Sequence, residues 1–368
     1  MTHAQSPVTS HKPPVTAMSN AVQSPTPHNT QVIIYQQSWL SRMANWLGWA
    51  GLAVCLTVLI SQWMALGDYF DTTGGIEERF VQGDKLGASK VVVLSIEGVI
   101  VQGDGFVKQQ IDRIREDDDI KAIVVRVDSP GGTVTGSDYI YHHLKKLREE
   151  TGLPMVVSMG SIAASGGYYV SMAVGDQENS IYAEPTTTTG SIGVIIPHYD
   201  LSGLMARFDV KDDSIATHER KQMLAMTRPI PDEHREIIKK HLDSMFSRFK
   251  SIIKEGRPRF ASDAEALDKL ATGEVFTADQ ALELGLVDKI GFVEDAIDRA
   301  HELAGLKKDD TRVVRYKRPA DLMSVFGAAQ AQQAQAQFSL PHLMELAAPR
   351  GWYLATSLPA IAASPRAD

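Results

Sequence analysis

Between Trp46 and Leu66 the chain reads WLGWAGLAVCLTVLISQWMAL, 21 residues without a charge. A helix of about 20 apolar residues crosses roughly 30 Å of hydrocarbon. The stretch therefore predicts one membrane-spanning helix and obliges any folded part to lie to one side of a bilayer. Four of the five tryptophans, Trp39, Trp46, Trp49 and Trp63, lie in or beside it, where aromatic rings collect at membrane interfaces. A cleaved signal peptide fits less well, because its apolar region is shorter, about 7–15 residues, and ends in a small-residue site. A buried core helix is the other alternative. Lys12 and Arg42 precede the span without an acidic residue, whereas Asp68, Asp71, Glu77 and Glu78 follow it. The positive-inside rule then predicts a single-pass inner-membrane protein with a cytoplasmic N-terminus and an extracytoplasmic, periplasmic C-terminal part.

The flanks differ from the middle. Residues 1–37 are rich in Ser, Thr, Pro, Gln and His and carry no acidic residue, which predicts a disordered tail. The anchor is placed at 38–68, followed by a Gly-bearing linker at 69–89. From residue 90 to 306, strand and helix patterns alternate. Val91–Ile100 and Ala122–Val127 are β-branched runs, and Pro154–Met159 is a third buried strand. Ser137–Glu150 sets Ile140, Leu144 and Leu147 on one helical face. Shorter strands are expected near Ile181 and over Ile192–Ile196. Asp232–Glu255 carries Ile238, Leu242, Met245, Phe249 and Ile252 on one stripe, with Pro231 at its start and Gly256 past its end. Such alternation predicts an α/β fold with a mostly parallel, covered sheet. Length alone, 368 residues, suggests two or three domains. The pattern reduces that to one domain of about 220 residues, with a C-terminal extension at 307–368 that holds a charged strand-like stretch (Thr311–Arg318), an Ala/Gln tract (Gly327–Phe338) and a mixed apolar tail of unassigned contacts.

Composition narrows the function. A net charge of −8 disfavours a general nucleic-acid binder. One cysteine, Cys55, leaves no disulfide framework and no Cys-rich zinc site. No phosphate-binding GxxxxGK[ST] and no dinucleotide-type GxGxxG after a strand is present. The pairs His218-Glu219 and His301-Glu302 lack the second histidine of a zincin helix. No metal and no cofactor is expected.

Two small-residue segments remain, each at the end of a predicted buried strand. In Val127-Asp128-Ser129-Pro130-Gly131-Gly132, a Pro-Gly-Gly turn lets backbone approach a ligand with an N–H free of sheet pairing; an ordinary tight turn into the next helix would look the same. In Met159-Gly160-Ser161-Ile162-Ala163-Ala164-Ser165-Gly166-Gly167-Tyr168-Tyr169, a serine sits where strand gives way to helix, exposing its hydroxyl beside free N–H groups. Close helix packing by small residues is the alternative there.

Together the segments DSPGG (128–132), SMGSIAASGGYY (158–169), TGSIGV (189–194) and GEVFTADQALELGLVDKIG (273–291) resemble the signal peptide peptidase A family of membrane-anchored serine proteases, within the Clp protease and crotonase superfamily. The resemblance covers about residues 90–300. It implies a Clp/crotonase-like α/β fold of repeated ββα units. It makes Ser165 the nucleophile, a lysine the general base at Lys221, Ser191 a lysine-positioning hydroxyl, and the backbone N–H groups of Gly132 and Gly166 the oxyanion donors. Lys221 lies in THERKQML, which departs from the family's usual Gly-x-x-Lys, and Lys211 lies in the same interval. The resemblance further implies a homo-oligomeric ring whose active sites draw on neighbouring subunits, and peptide substrates, notably remnant signal peptides.

Physical chemistry sets conditions on this dyad. A free lysine has a pKa near about 10.4, so a lysine base needs burial or nearby cations. Arg220 is a candidate cation and Glu219 opposes it. A Ser-His-Asp set drawing on His198, His218 or Asp128 is the rival catalytic arrangement. His142 and His143 lie among lysines on a helix. The segment GDQENS (175–180) is longer than the family's usual connection. A crotonase-type acyl-CoA enzyme and a catalytically silent membrane scaffold are the rival functions.

Overall fold

The computed structural model describes residues 39–70, 76–318 and 352–354. The expected disordered tail and the Ala/Gln tract lie outside them. Helix α1 (Trp39–Phe70) contains a stretch, Arg42–Trp63, long and apolar enough to cross a membrane. Every side chain from Arg42 to Trp63 is exposed.

The remaining elements form a separate α/β unit around a central sheet. Its middle is β2 (Ser89–Glu97), β3 (Ile120–Ser129) and β5 (Met155–Ala164), all parallel. Val91 and Val93 face one side and Val92, Leu94 and Ile96 the other, and all five are buried. Burial on both faces is why these strands read as unbroken apolar runs. One face is covered by α2 (Phe106–Glu116), α3 (Val134–Thr151), α4 (Gly166–Ser171) and the C-terminal half of α6 (Asp232–Gly256). The other is covered by α10 (Val293–Ala304). On α3, Ile140, Leu144 and Leu147 are all buried, as their spacing predicts.

Short elements complete the unit. β4 (Gly131–Thr133) leaves β3, β6 (Ile181–Ala183) adds beside β5, and β7 (Thr188–Gly190) pairs with both the end of β5 and β8 (Val275–Thr277). Helices α5 (Ser202–Arg207), α7 (Pro258–Ser262), α8 (Ala264–Leu270) and α9 (Ala278–Glu283) lie between, and β9 (Lys289–Ile290) closes one edge on β6. The strand expected over Ile192–Ile196 falls upstream at β7, because the backbone of Thr188–Gly190 is what pairs with its two neighbours.

The sheet also draws on both flanks of the 90–306 stretch. β1 (Glu77–Gly83), inside the expected linker, pairs antiparallel with β10 (Thr311–Lys317), inside the expected extension, and β10 pairs in turn with β2. β1 is an edge strand with exposed side chains, so it carries none of the apolar alternation by which strands are recognised. β11 (Trp352–Leu354) pairs antiparallel with β4.

Candidate active site

Ser165 stands between the last residue of β5 and the first of α4. Its φ of 55° and ψ of −114° place it outside the regions open to ordinary L-residues, a cost on the order of 1–3 kcal/mol that surrounding structure must hold in place. The holders are visible. Ser165 donates its N–H to the Gly190 carbonyl at 2.7 Å, and its own carbonyl accepts from the Tyr169 N–H at 2.8 Å. Thr189 Oγ1 donates to the Ala163 carbonyl at 2.7 Å, tying β7 to β5 beside the turn. The strand-to-helix turn expected from the small-residue segment is therefore present, with the serine at its apex.

Two glycines bring the second segment against it. A Cβ on Gly166 would lie 3.1 Å from the Gly131 Cα, 3.1 Å from the Gly132 nitrogen and 2.4 Å from Ser137 Oγ. Only glycine permits that approach, and it brings the Gly131–Gly132 backbone against Gly166, the residue that follows Ser165. Gly132 itself is pressed against Ile100. The Ile100 N–H donates to the Gly131 carbonyl at 2.9 Å, and the Thr133 N–H to the Ile100 carbonyl at 2.7 Å. Since successive residues of a strand point opposite ways, the N–H of Gly132 faces away from Ile100. A Cβ on Gly132 would fall 1.8 Å from the Ile100 carbonyl oxygen. Gly132→Ala is accordingly expected to cost at least about 2 kcal/mol of stability through displaced backbone. By shifting this backbone, which abuts Gly166, it is also expected to lower the rate of peptide hydrolysis, the Gly132 N–H being displaced and not lost. Denaturant unfolding and steady-state hydrolysis measure the two effects.

Ser191 follows β7, is buried, and also has a positive φ, 51°. Its N–H donates to the Glu274 carbonyl at 2.6 Å. Ser165, Gly132, Gly166 and Ser191 thus converge on the junction of β4, β5 and β7. Tyr168, next to the pair of glycines, is fully buried and donates to the Leu286 carbonyl at 2.9 Å. Burial pushes its phenol far above the ordinary range, so it serves as a neutral packing residue.

Lys221 is placed differently. It lies on the exposed 3-10 turn Glu219–Gln222, its N–H bonded to the His218 carbonyl at 3.0 Å. The Ser165 hydroxyl is buried and has no hydrogen-bond partner, so the amine does not reach it in a single protomer. Arg220 pairs with Glu233, which removes it as the cation expected to assist Lys221. Lys211 is exposed, 3.6 Å from Asp209.

The rival Ser-His-Asp set is not assembled. Asp128 accepts from Ser161 Oγ at 2.6 Å and from the Ile162 N–H at 3.1 Å. His198 contacts the Ala225 carbonyl, and His218 accepts from the Arg220 N–H. Neither histidine touches Ser165.

A strained, buried serine at a strand-to-helix apex, with Gly132 packed against the glycine that follows it, fits a serine peptidase. Residues 147–307 match the family described as Peptidase family S49. The chain is 34% identical over 244 residues to the "Putative signal peptide peptidase SppA" of Enterococcus faecium, covering 62% of this chain and 67% of that protein. It is 35% identical over 234 residues to the "Putative protease slr0021" of Synechocystis sp., covering 64% and 81%. Against "Protease 4" of Salmonella typhi it is 34% identical over 226 residues, 59% of this chain but only 35% of that longer protein. The chain belongs to peptidase family S49, the signal peptide peptidase A family.

Proposed function

We propose that this protein is a membrane-anchored endopeptidase in which Ser165 attacks the scissile carbonyl. Lys221 takes its proton, Ser191 positions the lysine, and the N–H groups of Gly132 and Gly166 hold the oxyanion. Proton transfer to Lys221 frees the alkoxide for attack, the amine leaving group takes that proton, and water then releases the acyl chain from Ser165 with Lys221 again as base. The observation that carries this reading is the apposition of Gly166 with Gly132 around the strained Ser165. Its test is covalent labelling with a fluorophosphonate followed by peptide mass spectrometry: the adduct is expected on Ser165, and labelling elsewhere on active protein would sink the assignment.

A base must be withdrawn from water, and Lys221 is exposed in one protomer. We assign the missing cover to a neighbouring copy in a homo-oligomeric ring. In the 199–215 segment that precedes Lys221 in sequence the chain exposes Tyr199, Leu204, Phe208, Val210 and Ile215, and on α6 Ile238 and Leu242 are only half-buried although they continue the apolar stripe. Surfaces of this kind mark protein contacts. Changing Phe208 and Ile215 together to Asp is expected to weaken association by at least about 30-fold, the effect of losing one interface anchor. Sedimentation would show smaller species, and peptidase activity would fall with the loss of assembly.

The same reading assigns 1–37 as tail, 38–68 as anchor and 69–89 as the connection to the protease domain over 90–306, with 307–368 as its extension. Residues 46–66 would contact the lipid bilayer, with the N-terminus cytoplasmic and the protease domain extracytoplasmic at the inner membrane. The pairs β3–β4 and β6–β7, each followed by a helix, support a Clp/crotonase-like fold of ββα units. Membrane-associated peptides, remnant signal peptides among them, are the proposed substrates, supported by the name of the Enterococcus relative and by the apolar anchor.

A further inference from the structure

We propose that Asp138, Tyr169 and Arg248 form a positioning network that holds the turn of Ser165 in its reactive shape; the inference rests on the reading of Ser165 as the nucleophile. Helix α4 begins directly after Ser165, has only six residues and carries no side-chain cap at its N-terminus. A helix so short does not hold itself in water. Its position, and with it that of Ser165 and the Gly166 N–H, is therefore set by what its side chains grip. Tyr168 grips Leu286, and Tyr169 grips α3 and α6. The Tyr169 N–H donates to the Ser165 carbonyl, and its buried ring packs on Phe249 of α6 and Tyr141 of α3, with centroids 5.1 Å and 5.5 Å away. Its hydroxyl donates to Asp138 Oδ1 at 2.5 Å. The same carboxylate oxygen accepts from Arg248 Nε at 3.2 Å and Nη2 at 3.1 Å, and Arg248 interacts with Tyr169 as well.

A phenol bonded to a carboxylate is a charge-assisted pair, shorter and stronger than a neutral one. Three elements, α3, α4 and α6, thus meet on one oxygen. Asp138 also adjoins Ser137, whose Oγ abuts the Gly166 backbone, so consecutive residues of α3 brace both ends of the first turn of α4. The strained backbone of Ser165 persists only while its surroundings over-determine it. A displacement of about 1 Å at a reacting group can cost about 10²-fold in rate. The Ser165 hydroxyl has no hydrogen-bond partner among the described residues, so the three side chains act on it through the backbone of α4 and not by touching it.

The test compares full-length proteins in detergent micelles: wild type, Tyr169→Phe, Asp138→Ala, Asp138→Asn, the double variant Tyr169→Phe/Asp138→Ala, and Tyr141→Phe. Each is assayed on an internally quenched apolar peptide and for the rate of fluorophosphonate labelling at Ser165, at a temperature where thermal unfolding shows it folded. Tyr169→Phe keeps both ring contacts and loses only the hydroxyl. It and Asp138→Ala are expected to lower kcat and the labelling rate about 10–100-fold at unchanged KM, the pattern of lost transition-state geometry. The double variant should lie within about twofold of either single one, because both remove the same bond. Asp138→Asn keeps an acceptor oxygen and should recover most of the wild-type kcat. Tyr141→Phe is the control for packing: it loses a 2.9 Å bond from α3 to Glu255 of α6, leaves the Tyr169 hydroxyl in place, and should keep the wild-type kcat. The proposal is overturned, with the catalytic reading intact, by wild-type kcat and labelling in Tyr169→Phe, by Asp138→Asn as slow as Asp138→Ala, or by Tyr141→Phe as slow as Tyr169→Phe. Absence of Ser165 labelling in active wild type would instead remove the catalytic reading, and this proposal with it.

Discussion

Ser165→Ala is expected to lower kcat/KM by on the order of 10⁶-fold, the scale on which a serine hydrolase loses activity without its nucleophile. The fold should survive. The hydroxyl has no hydrogen-bond partner, so its removal leaves no orphaned group, and the turn is held by backbone bonds to Gly190 and Tyr169. Ser165→Gly separates the two roles of the position. Glycine adopts positive φ freely, so this variant is expected to be equally inactive yet more stable than Ser165→Ala, by about 1 kcal/mol from released strain. Thermal unfolding of the two variants side by side, with hydrolysis rates measured on the same preparations, tests both halves. A Ser165→Ala protein retaining activity above one part in a thousand would remove Ser165 from the mechanism.

The second large effect belongs to Lys221. Lys221→Ala is expected to reduce kcat by about 10⁴-fold, the upper end for a lost general base. Stability should stay within about 0.5 kcal/mol, because the side chain is exposed and forms no ion pair among the described residues. Lys211→Ala is the matched control: it lies in the same interval, loses only an exposed contact to Asp209, and should leave kcat unchanged. The ratio of the two kcat values identifies the base directly. Equal, undiminished rates would exclude Lys221 and turn attention to a group supplied by a neighbouring copy.

The central strands were legible because both faces of the sheet are covered, which writes β2, β3 and β5 as continuous apolar runs. Helix α6 was legible from its capping end and stripe, although only Phe249, Ile252 and Ile253 of its apolar side chains are buried, leaving Ile238 and Leu242 for another surface. The serine and the two glycine segments were found as motifs, yet local chemistry could not distinguish a catalytic turn from a tight one. What the local pattern leaves out is tertiary: Gly166 against Gly132, and positive φ at both Ser165 and Ser191. The short strands β4, β7 and β11 have no period to read at three residues each and exist only through their partners. Arg220 looked like a helper for Lys221 from adjacency, but Glu233, thirteen residues on, claims it.

The position of β10 between β1 and β2 also orders events during synthesis. β1 leaves the ribosome directly after the apolar helix, but its pairing partner is the last strand of the sheet, completed only when Lys317 has been made. Until then the outer edge of β2 is an open strand edge, the kind of surface on which chains associate wrongly, and closing it requires a contact across nearly the whole domain, the slow class of folding event. Proteolytic competence therefore arrives late in the life of the nascent chain. Every residue of the Ser165 turn is in place before the sheet is closed, and the enzyme is finished by strands that carry none of its chemistry.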